Sequence, residues 1–208
     1  MKRVEMIKEN FINMKTEYLV NHHKTCRKID AIFVDETKHF KELLISFNDE
    51  HHCIKDSQIE LIVNNIQNVF NSCKVILIDD YSSKFDKNID GLINLMYDFF
   101  VRKLTNENVK TPTREVNRYL HRICKCDFFS VNDKLEDDIT DFFNDFTYRY
   151  VNDEDACRDF EHLIKNLQHS LICELKKAIS SSVDDKQDII RRYNTLGKEI
   201  LKVKNETR

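Results

Sequence analysis

The sequence predicts an all-α protein, an irregular bundle of about seven or eight helices with no sheet. Three observations carry this expectation. Only 2 Gly and 1 Pro occur in 208 residues, whereas strand-rich folds need many tight turns and draw on these two residues to make them. Apolar residues recur at steps of three and four along most of the chain, which is the helical period. The hydrophobic fraction is 41%, with 14 Phe and 7 Tyr, so there is bulk for a core and a disordered chain is excluded. The length fits a single helical domain over 1–208, with room for an N-terminal helical hairpin (1–50) packed on a bundle (56–204).

Val4, Ile7, Phe11, Met14 and Tyr18 open the chain as a heptad-like stripe. The register slips near His22 and His23 and resumes at Cys26, Ile29 and Phe33, then Phe40, Leu43 and Phe47. A single helix of that length is long for a globule, so the HHKT segment is read as a break or bend. Ser57-Gln58-Ile59-Glu60 reads as a capping box opening a helix that carries Ile59, Ile62, Ile66, Val69, Phe70 and Cys73. Another helix is expected to begin near Asp86 or Asn88, bury Ile89, Leu92, Ile93, Met96, Phe99, Phe100 and Leu104, and end at TNENVKTPT.

Thr111 caps the next helix with Pro112 at its first position, where the missing N–H costs nothing. Val116, Tyr119, Leu120 and Ile123 form its apolar face. Asn132 and Asn152 cap two more, carrying Leu135, Ile139, Phe142, Phe143 and Phe146, then Phe160, Leu163, Ile164, Leu167, Leu171 and Leu175. The segment from Ser182 to Asp185 opens the last, with Ile189, Ile190, Tyr193, Leu196 and Ile200. No internal repeat of fixed period supports a solenoid.

The setting follows from composition. Seven Cys is an odd number, and their scatter matches no secreted disulfide framework, which points to free thiols in a reducing compartment. No apolar run approaches the roughly 20 residues that cross a bilayer, and MKRVEMIKEN lacks the apolar core of a signal peptide. The expectation is a cytoplasmic protein without membrane contact. Alanine occurs only at Ala31, Ala156 and Ala178, while Asn, Ile, Lys and Asp abound, the imprint of an AT-rich genome.

Catalytic signatures are absent. Two isolated glycines build no phosphate loop, and neither G-x-S-x-G nor H-E-x-x-H occurs. The most enzyme-like string is KVILIDDYSS at 74–83, where a buried strand would deliver Asp79 and Asp80 to a metal ion. No second run of that kind follows, so the simpler expectation is solvated aspartates. Three His/Cys groups stand out: His22, His23 and Cys26; His51, His52 and Cys53; His121, Cys124 and Cys126. None matches a zinc template, and no metal, cofactor or small-molecule substrate is expected.

Charge segregation is more informative. The net charge of −3 excludes a generally basic coat for nucleic acid, yet 102–125 concentrates Arg102, Lys103, Lys110, Arg114, Arg118, Arg122 and Lys125 against Glu107 and Glu115. Arg114, Arg118 and Arg122 are four apart, so they form one guanidinium column on a helix face, suited to successive phosphates. The stretch from Asp127 to Glu161 then turns acidic. Either the column is a binding face, or it pairs with that acidic stretch inside the fold.

The expected function is a non-enzymatic helical factor docking on a large assembly, with RNA or a ribonucleoprotein as partner; a ribosome-bound regulatory or dormancy factor is one concrete form. The rival is a protein-only adaptor. In its helix number the chain is similar to viral Bcl-2-like modulators of host signalling. Their N-W-G-R groove element is missing, and the nearest glycine context is Asn88-Ile89-Asp90-Gly91-Leu92. A metal-dependent enzyme built on Asp79 and Asp80 stands third.

Overall fold

The computed structural model describes residues 2–105, 110, 112–126, 128–129, 133–151, 153–183, 188, 191–192, 194–196, 198 and 202. Among them no residue is in a strand, and six α-helices and one π-helical turn are present: α1 (Lys2–His51), α2 (Asp56–Phe85), the π turn (Asp86–Asp90), α3 (Gly91–Thr105), α4 (Thr113–Lys125), α5 (Asp133–Tyr150) and α6 (Glu154–Val183). The fold is all-α.

The expected break at HHKT does not exist, because α1 runs unbroken through it. The apparent slip comes from polar residues on the inward stripe. Ile7, Tyr18, Ile29 and Phe40 recur every eleven residues, as do Phe11, His22, Phe33 and Leu44, and likewise Met14, Thr25, Glu36 and Phe47; of these only His22 is half-buried and the rest are buried. Eleven residues in three turns is about 3.67 per turn, close to the α-helical period, so this stripe holds its face where a strict heptad would drift. The polar members find partners. The Thr25 hydroxyl donates to the Asn21 carbonyl at 3.1 Å, His22 Nε2 lies 3.0 Å from Ser82 Oγ, and Ser170 Oγ donates to Glu36 Oε1 at 2.9 Å.

α1 ends where His52 takes a positive φ of 50°. The His52 N–H bonds the Asn48 carbonyl at 2.8 Å, and buried Asn48 accepts from the Ile54 N–H with its side chain, also at 2.8 Å. The capping box lies two residues from its expected place: Gln58 Oε1, not Glu60, reaches back, and it accepts from the Lys55 N–H at 3.2 Å. No helix starts afresh at Asp86 or Asn88. The π turn carries α2 straight into α3, burying both Asn88 and Ile89 at the extra residue. Pro112 is the N-cap of α4 and makes no side-chain cap; Thr111 lies outside the described residues, as does Asn132. Asp153 caps α6, accepting from the Ala156 N–H at 3.2 Å; Asn152 lies outside the described residues. Ser182 belongs to the end of α6; beyond it residues 188, 191–192, 194–196, 198 and 202 are helical, and the rest of the last expected helix, its opening at 184–185 included, lies outside the described residues.

The chain divides into two compact units. The first comprises 1–25, 81–128 and 180–208. In it Phe11 packs against Phe100 (centroids 5.2 Å apart) and edge-on to Tyr97 (6.0 Å), while Lys15 donates to Asn94 Oδ1 at 2.8 Å. Arg192 grips Glu17 through two nitrogens, at 2.7 and 3.1 Å. The second unit comprises 26–80 and 129–179. Its core is aromatic: Phe146 stacks on Phe160 at 3.8 Å, and Phe47 packs on Phe160 at 5.4 Å. Phe33 meets Phe70 edge-on at 5.7 Å.

Candidate nucleic-acid interface

α4 is the most one-sided helix of the first unit. Val116 and Ile123 are buried, Tyr119 and Leu120 half-buried, and Arg114, Arg118, Arg122 and Lys125 exposed. The inner face packs on α3 and the π turn. Gly91 makes this approach possible: a Cβ there would stand 2.8 Å from Tyr119 Cε1, closer than two carbons approach. At the other end of α4 the Asn88 amide donates to Cys126 Sγ at 3.6 Å. One face of α4 is thus held by the fold, and its cations point to solvent.

The column expected from the four-residue spacing is present. Successive guanidinium-bearing positions rise by roughly 6 Å along the axis. Arg122 lies over the Tyr119 ring at 4.9 Å, a cation–π contact that orients the guanidinium without neutralising it. Among the described residues, Arg114, Arg118, Arg122 and Lys125 have no carboxylate within ion-pair distance. The other expected contributors differ. Arg102 pairs with Asp98 one turn back on α3 at 2.9 Å, and Lys103 lies over the Phe99 ring at 5.9 Å. Lys110 is exposed in the connection before α4.

The acidic stretch finds partners of its own. Asp145 pairs with Arg149 at 2.8 Å, Asp155 with Arg158 at 3.5 Å and Glu161 with Lys165 at 2.5 Å, all within one turn of helix.

Asp79 and Asp80 do not end a strand. KVILIDDYSS is helical throughout, inside α2, with Asp79 exposed and Asp80 half-buried. Five residues of helix follow the pair before the π turn, so the strand-end geometry that presents carboxylates to a metal is missing. The His/Cys groups do not assemble as spaced either. His22 stacks on Tyr81 at 5.3 Å and tilts against Phe85 at 4.6 Å; burial, together with neighbouring His23, holds it below the usual imidazole range. His121 and Cys124 are exposed. No disulfide joins any of the seven cysteines.

Among the described residues, one set of three donors does converge, in the second unit: Glu50, His51 and Asp159, whose ligand atoms all lie within 4.8 Å of one another. Sequence reading picked out His51 but placed it with His52 and Cys53. Asp159 was hidden in the acidic stretch, and only packing of the Phe47 and Phe160 side chains brings it beside His51. No helix among the described residues is long and apolar enough to cross a membrane. Comparison with known protein families, with characterised proteins and with solved structures finds no match for this chain.

Proposed function

We propose that this protein is a non-enzymatic binding factor that docks on RNA or a ribonucleoprotein assembly through the exposed face of α4. The observation that carries the reading is the Arg114, Arg118 and Arg122 column, solvent-facing and without a carboxylate partner among the described residues. A cation left unpaired on a helix whose other face is anchored is preorganised for an external anion. Guanidinium suits phosphate because its planar donor fork matches two oxygens at once. Lys125 extends the face, Lys110 flanks it, and Arg102 and Lys103 add charge from α3. A ribosome-bound regulatory or dormancy factor is a concrete form of such a protein.

The test is affinity purification of the full chain from native lysate, with and without RNase, beside the triple variant Arg114→Gln, Arg118→Gln, Arg122→Gln. RNA should co-purify with the parent and be lost from the variant. Binding of the parent to single-stranded RNA should weaken as salt rises, because each phosphate contact releases counterions. Removing three contacts should reduce the slope of log K against log salt by about 2, at about 0.7 per contact. A co-purifying set of proteins that RNase and the triple change both leave intact would establish the protein-only adaptor instead.

A further inference from the structure

We infer that Glu50, His51 and Asp159 form a binding site for a first-row divalent metal ion, zinc by the character of the donors. The site lies in the second unit and is independent of the α4 reading.

Glu50 and His51 are the last two residues of α1, and Asp159 stands in the second turn of α6. His51 Nε2 lies 3.2 Å from Asp159 Oδ2. A tetrahedral ion with ligands at about 2.0–2.1 Å holds neighbouring donor atoms roughly 3.3 Å apart, so these two already stand at the separation that a shared ion imposes. A hydrogen bond does not explain the approach. His51 Nε2 is shielded from solvent and, among the described residues, has no hydrogen-bond partner: the carboxylate is near, but off the line of the ring nitrogen. An imidazole nitrogen withdrawn from water without a hydrogen bond is costly; the Asp159 carboxylate stands within ion-pair reach of it, and a metal ion between the two would satisfy both.

The surroundings hold the two ligands in place. The His51 ring packs on Phe47 at 4.7 Å, and Phe47 packs on Phe160, the neighbour of Asp159. The end of α1 is tied by the two Asn48 bonds, and its terminal carbonyls carry the negative pole of the helix, which favours a cation. Glu50 is exposed, and its long side chain has the freedom to close the remaining distance. The site opens on a cleft of about 590 Å³, into which His162 also projects, one turn along α6 from Asp159. Three protein donors with a fourth position facing a cleft is the arrangement of an open zinc site. Mixed imidazole and carboxylate donors select zinc and its neighbours over magnesium or calcium, which prefer all-oxygen shells.

Binding of Zn²⁺ to the full chain tests this. The protein is stripped with chelator, its accessible thiols are alkylated so that cysteine supplies no ligand, and bound zinc is measured by equilibrium dialysis with elemental analysis. One saturable zinc per chain is expected. Affinity should fall by at least about tenfold in both His51→Gln and Asp159→Asn, since even losing a supporting partner of a metal ligand costs 10- to 100-fold. His22→Gln should bind as the parent does. Asp159 is half-exposed, so its substitution keeps the test valid if His51→Gln disturbs the packing on Phe47. No saturable zinc in the parent, or unchanged affinity in Asp159→Asn with native helicity, would overturn the inference.

Discussion

Polar side chains on the inward stripe of α1 show how single residues decide what this fold tolerates. Glu36 is buried, with one oxygen accepting from Ser170 and the other 3.5 Å from His39 Nδ1. His22 sits against Tyr81, Phe85 and Ser82, and its consequence is a pH dependence. In the unfolded chain an imidazole titrates near about 6.5; in the folded chain burial and His23 push His22 lower, with Asp86 acting the other way. Above that pH the ring is neutral in both states, and the contribution to stability is fully present. As pH falls through the unfolded value, the unfolded chain takes up the proton first and stability drops, levelling only when the folded ring is protonated too. Urea unfolding should therefore show lower stability at about pH 5.5 than at about pH 7.5, and His22→Gln should reduce the loss. Glu17 acts in a separate window: its hydrogen bond from Arg192 holds its carboxyl low, so its contribution disappears only at more acid pH. Equal losses in parent and His22→Gln between the two values would remove His22 from the account.

Among the elements, α1 separates what was legible in the sequence from what was not. Helical class, the apolar face of α4 and the arginine column were all readable, because each depends on spacing within one helix. The break at HHKT was misread, since a pattern of apolar residues alone cannot see Thr25 and Glu36 as inward positions. Burial of those two depends on partners elsewhere, and a local pattern carries no trace of them. The same limit hid Asp159, and it placed the capping box on Ser57 when the Gln58 side chain reaches Lys55. Continuity of α1 is open to a direct test. Proline at His23, an exposed position in mid-helix, removes an amide hydrogen bond and clashes with the preceding turn. The cost should be about 3 kcal/mol or more, read from urea unfolding. Proline at Lys110, outside any helix, should change stability by no more than about 0.5 kcal/mol. A His23→Pro variant as stable as the parent would restore the two-helix reading of 2–51.

Over the whole molecule, a net charge of −3 and a proposed anionic partner look opposed, and screening resolves the conflict. At physiological ionic strength charges farther apart than about 8 Å scarcely feel one another, so what an approaching phosphate meets is the local field of α4 rather than the molecular sum. That local field exists only if the arginines are not already neutralised, and this makes the stability of the triple variant Arg114→Gln, Arg118→Gln, Arg122→Gln informative apart from any binding assay. Were the column an internal ion-pair ladder, its removal would cost up to about 1 kcal/mol for each exposed pair. With no carboxylate in reach among the described residues, the change instead relieves like-charge repulsion between side chains four apart, worth about 0.2–0.5 kcal/mol per pair. The Arg122 contact with the Tyr119 ring, worth about 0.5–1 kcal/mol at an exposed site, works against this gain. The variant should therefore unfold within about 0.5 kcal/mol of the parent, and lowering the salt should shift the balance in its favour as the parent's repulsion grows. Destabilisation by 2 kcal/mol or more would mean that the column is spent on the fold, and an RNA-binding face would have to be sought elsewhere on the molecule.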